Sequence, residues 1–280
     1  MPSEHPTLLT SRDFLRARLN DRALRRGAER GDYAPVVPGV FVPMPIWATL
    51  TPRLRHVTRA RAVAPRLGSC AVFSHVTAAA LHGLPLLGEW PELVEATDSE
   101  ATRTRRGRSL RTHALPLAGS DLAAKEALPV TAPGRTLVDL AISLPLRDAV
   151  VSLDGALHAA GDETPALLAA FDEALERREP IREHLRVGRV RRFIDGAAES
   201  PGESLSRVVM QELGWPPPVL QESFFDAAGK IGTVDFWWPQ FGVIGEFDGL
   251  VKYERAEFLN GMTPAQVVAK EKRREDRLRA

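Results

Sequence analysis

The stretch that decides the fold of the C-terminal region is residues 231–249, IGTVDFWWPQFGVIGEFDG. Its β-branched and aromatic residues predict two consecutive strands, residues 231–239 and 241–249. On the second strand, the two-residue period places Ile244, Glu246 and Asp248 on one face. Asp235 lies at the end of the adjacent strand, so three carboxylates are expected near one edge.

These carboxylates predict a metal site. Carboxylates on one face repel each other unless a positive group intervenes, and a hard ion such as Mg²⁺ takes oxygen ligands. Asp235, Glu246 and Asp248 are therefore predicted to bind Mg²⁺, with Lys252 near the same strand end. Such a set suits phosphodiester hydrolysis, because the ion activates water and both cations stabilise the developing charge. The alternative is an edge strand whose acids face solvent; apolar neighbours such as Phe236 favour burial, where unpaired charge is costly.

The residues before this stretch predict a helix and one more strand. Ser200 is an N-cap residue, Pro201 suits the first helical position, and Glu203 falls in the first turn. Gly214 ends the helix, and residues 220–226 form a strand that a turn connects to the next. The order is a helix followed by three strands.

Residues 234–236 (VDF) and 244–249 (IGEFDG) resemble the core of the PD-(D/E)XK nuclease-like superfamily, in particular domains related to very-short-patch-repair endonucleases. The resemblance implies a restriction-endonuclease-like fold in which Asp235 and Glu246 bind metal. It also implies that Glu203 is the supporting acid on the first helix.

The sequence departs from that family at two positions. Asp248 stands where a catalytic lysine would follow the glutamate, and Lys252 stands where the very-short-patch-repair branch has a histidine. Residues 271–280 (EKRREDRLRA) are similar to the start of the helix before the final core strand. The core is therefore expected to lack its last strand, through truncation or because that strand is supplied otherwise.

Charge is distributed unevenly along the chain. The net charge is +1, yet residues 1–66 carry 12 Arg, no Lys and 5 acids, whereas residues 199–280 carry 10 Lys and Arg against 13 acids. A basic end is typical of a phosphate-binding surface. Arginine is also common in proteins of GC-rich genomes and on solvated helix faces, so both interpretations stay open.

The N-terminal pattern predicts a degenerate winged helix-turn-helix. Residues 7–31 favour two short helices, and residues 33–43 form two short β runs around Pro38-Gly39. In such a domain the second helix enters the major groove and the hairpin touches the backbone. Gly27 within that helix costs about 1 kcal/mol relative to alanine, and a small helical cap with solvated arginines is the alternative. The arginines expected to face DNA are Arg22, Arg25, Arg26 and Arg30.

The middle of the chain predicts a mixed α/β domain. Residues 74–85 (SHVTAAALHGLP) and 128–141 (LPVTAPGRTLVDLA) resemble antitoxins of type IV toxin–antitoxin, abortive-infection (AbiEi-like) systems. The resemblance implies DNA-binding autoregulation through residues 1–45 and neutralisation of a toxin protein by the middle domain. His75 and His82 share a helix face without a third ligand at defined spacing, so they are expected to pack or cap.

A basic loop lies between two predicted strands of this domain. Four arginines lie there within six residues, and such a loop can follow a phosphate backbone or simply be exposed. The arginines are Arg103, Arg105, Arg106 and Arg108.

The sequence as a whole predicts a multidomain α/β protein. Its segments are a winged-helix-like region (1–45), an antitoxin-like α/β domain (46–160), a helical linker (161–197) and an incomplete nuclease-like domain (198–280). No apolar stretch approaches the roughly 20 residues of a membrane span, the N-terminus lacks a signal pattern, and Cys70 stands alone. A cytoplasmic protein is expected.

Two functions follow from these patterns. One is a DNA-interacting antitoxin-like or regulatory protein whose nuclease-fold domain hydrolyses phosphodiesters with Mg²⁺. The other is a non-catalytic transcriptional regulator or toxin-binding protein with a degenerate nuclease scaffold. The oligomeric state does not follow from the sequence.

Overall fold

The protein is described from a computed structural model that covers residues 5–16, 21–178, 181–248 and 264–279. It is a mixed α/β protein with three sheets, as the sequence predicts at this level. Helices pack against the largest sheet, and the buried apolar side chains form two clusters.

The N-terminal region is two helices followed by a hairpin. The hairpin turns at Gly39, whose φ of +78° suits a residue without a side chain. A short first strand pairs with the second hairpin strand, and a helix follows. The elements are β1 (Leu9–Thr10), α1 (Ser11–Arg16), α2 (Asp21–Glu29), β2 (Tyr33–Val37), β3 (Val40–Pro43) and α3 (Met44–Thr49).

Gly27 allows α2 to lie against this hairpin. A Cβ atom at Gly27 would come within 2.7 Å of the Tyr33 ring. Leu24, on the same side of α2, is fully buried. The glycine that weakens the helix locally is therefore required for close packing.

The middle region contains a six-stranded mixed sheet with strand order β6-β7-β5-β4-β9-β8. The β4–β9 and β5–β7 pairs are parallel, and the other pairs are antiparallel. Its strands are β4 (Ala71–Phe73), β5 (Val94–Asp98), β6 (Arg105–Arg106), β7 (Leu110–Ala114), β8 (Leu122–Lys125) and β9 (Leu128–Thr131). Its helices are α4 (Pro52–Val63), α5 (His75–His82), α6 (Pro133–Ser143) and α7 (Leu146–Ala160).

The helical segment 161–197 packs into the core of the middle region. It contains α8 (Thr164–Glu176) and α9 (Ile181–Arg191). Gly134 of α6 lets α8 approach, since a Cβ there would lie 2.6 Å from the Ala170 backbone. One apolar cluster contains residues of α5 to α9 and of the first helix of the C-terminal region. Its members include Leu137, Leu153, Phe171, Val187 and Val208.

The C-terminal region has the predicted order of a helix and three antiparallel strands. Ser200 caps the helix, because its Oγ accepts from Glu203 N at 3.2 Å. Gly214 follows the helix with a φ of +81°. The elements are α10 (Pro201–Glu212), β10 (Val219–Asp226), β11 (Gly229–Trp238), β12 (Val243–Gly245) and, after residues outside the described ranges, α11 (Pro264–Arg279).

The third strand is shorter and more exposed than expected. The sequence predicts a buried strand over residues 241–249, but β12 ends at Gly245 and, among the described residues, is the outermost strand on its side of the sheet. Val243 is 47% exposed, and Glu246 and Asp248 follow the strand end in exposed positions. The expected burial of these acids is therefore wrong, because an edge strand has one uncovered side.

Candidate functional site

Glu203 is the buried acid of the C-terminal region. It is 6% exposed and lies in the first turn of α10, where carboxylates are stabilised by the helix dipole. Its Oε1 accepts from Ser200 Oγ at 2.7 Å and its Oε2 from Glu199 N at 3.0 Å. These two hydrogen bonds, together with the Ser200 cap, fix the direction of the carboxylate.

Gln221 connects Glu203 to Asp235. Its Nε2 donates to Glu203 Oε2 at 3.0 Å and to Asp235 Oδ1 at 3.4 Å. Gln221 has a φ of +52°, although its neighbours Leu220 and Glu222 keep normal pairing with β11. A left-handed glutamine costs of order 1–3 kcal/mol and persists only where its surroundings impose it. Sequence reasoning missed Gln221, and only its place opposite Asp235 could have indicated it.

Asp235 also holds the chain that follows β12. Its Oδ2 accepts from Phe247 N at 2.7 Å. The Phe247 ring lies on Gly202 of α10, where a Cβ atom would overlap the ring. The register of β11 with β12 ends at Phe236 and Gly245, so the next residues outward are Asp235 and Glu246. The segment after β12 is thus attached to both β11 and α10.

Glu246 faces an arginine of the last helix. Arg274 Nη1 donates to Glu246 Oε2 at 3.0 Å, and its Nη2 contacts the other carboxylate oxygen. The same Nη2 donates to the Thr233 carbonyl at 3.0 Å. Glu246 and Asp248 line a groove of about 580 Å³ between β12 and α11, beside Arg274.

The structure therefore brings the predicted site residues together only in part. Glu203 and Asp235 share a hydrogen-bonded cluster, whereas Glu246 and Asp248 lie along the neighbouring groove. Within the described ranges, no set of three or more His, Cys, Asp or Glu side chains is arranged to hold a metal ion. Lys252 lies outside the described residues.

The arginines predicted to face DNA are all exposed, three of them on α2 and one just after it. The buried side of this helix is formed by Leu24 and Gly27. Arg30, just beyond the helix, donates to Asp32 Oδ2 at 2.7 Å in an exposed ion pair. The exposed residues are Arg22, Arg25, Arg26 and Arg30.

A second polar cluster is enclosed in the middle region. Arg135 Nε donates to Asp139 Oδ1 at 3.0 Å, and Arg135 Nη1 lies 3.3 Å from Asp121 Oδ2. Arg177 donates to the other oxygen of Asp121 at 2.7 Å. Asp139 is fully buried, and this burial raises its pKa despite the neighbouring Arg135.

The two predicted packing histidines both have protein partners. His75 has a φ of +52°, and its Nδ1 lies 2.9 Å from Ser74 Oγ. Its ring stacks on His113 at 3.9 Å between centroids, and burial lowers the pKa of His75 to about 3. His82 Nε2 donates to the Thr131 carbonyl at 2.8 Å. Both histidines therefore join helix α5 to the sheet.

None of the described helices is both long and apolar enough to cross a membrane.

Comparison with known proteins gives partial matches. No family model matches the sequence. The chain is 34% identical over 122 residues to two uncharacterized proteins of Mycobacterium tuberculosis, Rv2248 of strain H37Rv and MT2308 of strain CDC 1551. The match covers 43% of this chain and 43% of each relative, so it spans less than half of their length.

One solved structure was also matched, the crystal structure of the RV2827C protein from Mycobacterium tuberculosis. The TM-score is 0.43 at 17% identity, over 79% of this chain and 84% of that chain. A TM-score of this size supports no inference about function.

Proposed function

We propose that this chain is a DNA-interacting protein of the antitoxin-like or regulatory type, whose C-terminal domain has a PD-(D/E)XK nuclease-type core. The observation that carries the proposal is the cluster of Glu203 and Asp235 around Gln221, with Glu246 next to Asp235 along the sheet. A helix and three antiparallel strands that contribute acids to one edge are what that core requires. The N-terminal helices and hairpin have the order of a winged helix-turn-helix.

The proposed cofactor is Mg²⁺. The donor chemistry fits, because carboxylate oxygens are the ligands that this hard ion prefers. Asp235 and Glu246 would hold it, with Asp248 at the groove, once Arg274 releases the Glu246 carboxylate. When bound, such an ion supplies an activated water and stabilises charge on a phosphate.

The protein's own groups prepare this edge. The Ser200 cap and Gln221 orient Glu203, which points one of its oxygens at the Gln221 amide. The backbone N–H of Phe247 donates a hydrogen bond to one oxygen of Asp235. The Phe247 ring packs on Gly202 and fixes the position of the Glu246–Asp248 segment. Arg274 would contact a phosphate only in exchange for Glu246, since a guanidinium binds phosphate and carboxylate oxygens with the same geometry.

Plasmid nicking tests the enzymatic part. Supercoiled DNA is incubated with Mg²⁺ or Mn²⁺ and with wild type, Asp235→Asn or Glu222→Gln. Glu222 lies on β10 beside Gln221 but outside the cluster. Its substitution therefore removes the same single negative charge without touching the proposed site. We expect nicking to fall at least a hundred-fold in Asp235→Asn only. Equal nicking in wild type and Asp235→Asn would remove the proposed activity.

A specific observation favours the non-catalytic alternative as second candidate. Arg274 already pairs with Glu246, so the charge of the Glu246 carboxylate is compensated without a metal ion. In that case the C-terminal domain would be a degenerate scaffold that binds DNA or a protein. Calorimetric titration with Mn²⁺ distinguishes the two candidates. A metal-binding core gives a heat of binding that the variant Asp235→Asn loses, whereas a degenerate scaffold gives no such heat.

DNA binding by α2 has its own test. In a gel-shift assay at two salt concentrations, wild-type binding must weaken with salt because phosphate contacts release counterions. The variant Arg22→Gln/Arg25→Gln/Arg26→Gln is expected to bind at least ten-fold more weakly. Retention that does not change with salt would exclude α2 as a phosphate-binding surface.

The partner proposed for the middle domain is a cognate toxin protein. Support comes from the two antitoxin-like motifs, which meet where α5 and α6 pack beside β4 and β9. Co-expression with the product of an adjacent gene tests this, with growth rescue as readout. The variant Arg22→Gln/Arg25→Gln/Arg26→Gln, which keeps the apolar core that the hairpin shares with the middle region, separates rescue by neutralisation from rescue by repression.

A further inference from the structure

The sheet of the middle region has a strongly basic edge. Residues 103–111 form a short antiparallel ribbon from β6 and β7, closed where Gly107 N donates to the Leu110 carbonyl at 2.8 Å. β6 is the last strand on this side of the six-stranded sheet. Residues 103–111 contain no acid. The arginines of this arginine ribbon are all exposed and are Arg103, Arg105, Arg106, Arg108 and Arg111.

The strand register brings like charges together on this ribbon. Arg106 pairs directly with Arg111 across the two strands. Like charges directly opposite each other destabilise a sheet. Glu95 lies 3.7 Å from Arg111, but it also contacts His113 at 3.1 Å. One carboxylate therefore balances only part of the charge.

The remaining arginines of the ribbon have no acidic partner. Across the part of the chain that the structure describes, no salt bridge involves Arg103, Arg105, Arg106 or Arg108. Some arginines elsewhere on the surface do pair, as Arg147 does with Glu212 and Arg277 with Asp226. The ribbon thus carries uncompensated positive charge on a hydrogen-bonded frame.

The ribbon also adjoins the N-terminal hairpin. A groove of about 300 Å³ separates the two, lined by Arg108 and Ser109 of the ribbon, by residues 35–39 and Phe41 of the hairpin, and by Arg59 and Glu92. In a winged helix-turn-helix this hairpin contacts the DNA backbone. The ribbon tip therefore lies next to the element that would hold the duplex backbone in the proposed function.

We propose that residues 103–111 form a second DNA-binding site, which takes phosphate groups of the duplex backbone beside the β2–β3 hairpin. The inference rests on the proposed DNA-binding function and adds a site in the middle domain. Guanidinium groups suit phosphate oxygens, and an antiparallel ribbon has the width to follow a groove of the duplex.

A simpler role for the same arginines is protection of the sheet edge. Charged residues on an edge strand prevent pairing with another sheet. That role needs charge at the edge but no phosphate contact. It predicts self-association after removal of the arginines, with unchanged affinity for DNA.

The test compares two triple variants of equal charge change. One is Arg105→Gln/Arg106→Gln/Arg108→Gln in the ribbon. The control is Arg186→Gln/Arg189→Gln/Arg192→Gln, three exposed arginines in and just after α9. Binding of a labelled DNA duplex by the full chain is measured by fluorescence anisotropy at several salt concentrations, and circular dichroism confirms that each variant is folded.

We expect the ribbon variant to lose about ten-fold in affinity and its salt slope to fall by about 2–3, since each phosphate contact contributes roughly 0.9. The control should keep both values within two-fold. Arg105→Lys/Arg106→Lys/Arg108→Lys retains the charge and should retain most of the slope, which covers the case of a glutamine variant that does not fold.

Several results would overturn the inference. Equal losses in ribbon and control variants would indicate a general charge effect, and unchanged binding with self-association would indicate edge protection. Stronger binding of an RNA duplex, lost in the ribbon variant, would assign the site to RNA. If wild type itself shows no salt-dependent binding, the proposed DNA-binding function fails first. If α2 substitutions weaken binding and ribbon substitutions do not, only the second site fails.

Discussion

Two arginine–carboxylate pairs of this protein lie in opposite environments. In the middle region, the side chains of Arg135 and Asp139 are 2% and 0% exposed, whereas those of Arg274 and Glu246 in the C-terminal region are 22% and 35% exposed. A buried pair cannot exchange partners without leaving a charge uncompensated. An exposed pair separates at little cost, so only the second can make room for an ion or a phosphate. The comparison indicates a structural role for the first pair, and the proposed function needs only the second pair to separate.

Removal of the buried arginine should give the largest effect. Arg135→Met leaves Asp139 and part of Asp121 without a cation in the protein interior. We expect the free energy of unfolding of the middle region to fall by about 3–5 kcal/mol. Denaturant unfolding followed by circular dichroism measures this. A loss below 1 kcal/mol would mean that the buried pair is not structural and would break the comparison.

Acidification should weaken the middle region through His75. The folded-state pKa of about 3 lies below the ordinary value of 6.5, so the folded state resists protonation. The contribution is complete above pH 6.5 and is lost as pH falls toward 3, at about 1.4 kcal/mol per pH unit. Between pH 7 and 5 the expected loss is roughly 2 kcal/mol.

A variant isolates this effect from other titrating groups. Burial lowers the pKa of His56 to about 4, which acts in the same direction. Burial raises the pKa of Asp154 to about 6, so Asp154 favours the folded state as pH falls through that value. His75→Asn keeps a residue that tolerates a left-handed backbone and cannot titrate. Its stability should depend less on pH than that of wild type, and parallel curves would contradict the assignment.

A smaller effect is expected where α10 meets the segment after β12. Gly202→Ala places a methyl group against the Phe247 ring, and overpacking of this kind costs about 1–3 kcal/mol. Displacement of Phe247 would also remove the hydrogen bond to Asp235. Nicking activity should therefore fall even under conditions in which the variant is fully folded. The matched variant Gly188→Ala, with open space around its Cβ, should leave nicking unchanged and raise the free energy of unfolding by up to about 1 kcal/mol. Full activity in Gly202→Ala would show that this segment does not position the site.

The smallest effect is expected for the exposed pair. Arg274→Met should change the free energy of unfolding by less than about 1 kcal/mol, because exposed ion pairs contribute little. At the same time Mn²⁺ affinity, measured by calorimetry, should rise because Glu246 loses its competing cation. A loss of several kcal/mol would make this pair structural like the buried one.

The sequence predicts local structure well where single residues determine it. Ser200 and Gly214 mark the two ends of α10, and Gly39 marks the hairpin turn. Exposure of β12 could not be predicted, because whether a strand lies at an edge depends on the other strands of its sheet. The apolar residues around Glu246 indicated burial, yet in the described part of this three-stranded sheet only β11 has a strand on both sides.

Parts of the site depend on distant contacts, so local patterns do not contain them. Arg274 lies in a charged run typical of a solvated helix, and its position against Glu246 follows from the packing of α11. Gln221 carries no motif, and its left-handed backbone becomes evident only from coordinates. Gly27 was expected to weaken α2, although the position of Tyr33 makes a larger residue unfavourable. Each case is tertiary packing that overrides a local preference.

The parallel pairing of β4 with β9 has a consequence for synthesis of the chain. Phe73 meets Val130 only after β5, β6, β7 and β8 have been made, so one side of β4 stays unpaired while the ribosome extends the chain. Closure of so long a loop is slow in folding, and an open strand edge can pair with another nascent chain. Once α6 emerges behind β9, its first residues bring Arg135 to Asp121. The buried ion pair between Arg135 and Asp121 therefore forms late in synthesis and holds α6 to the segment before β8.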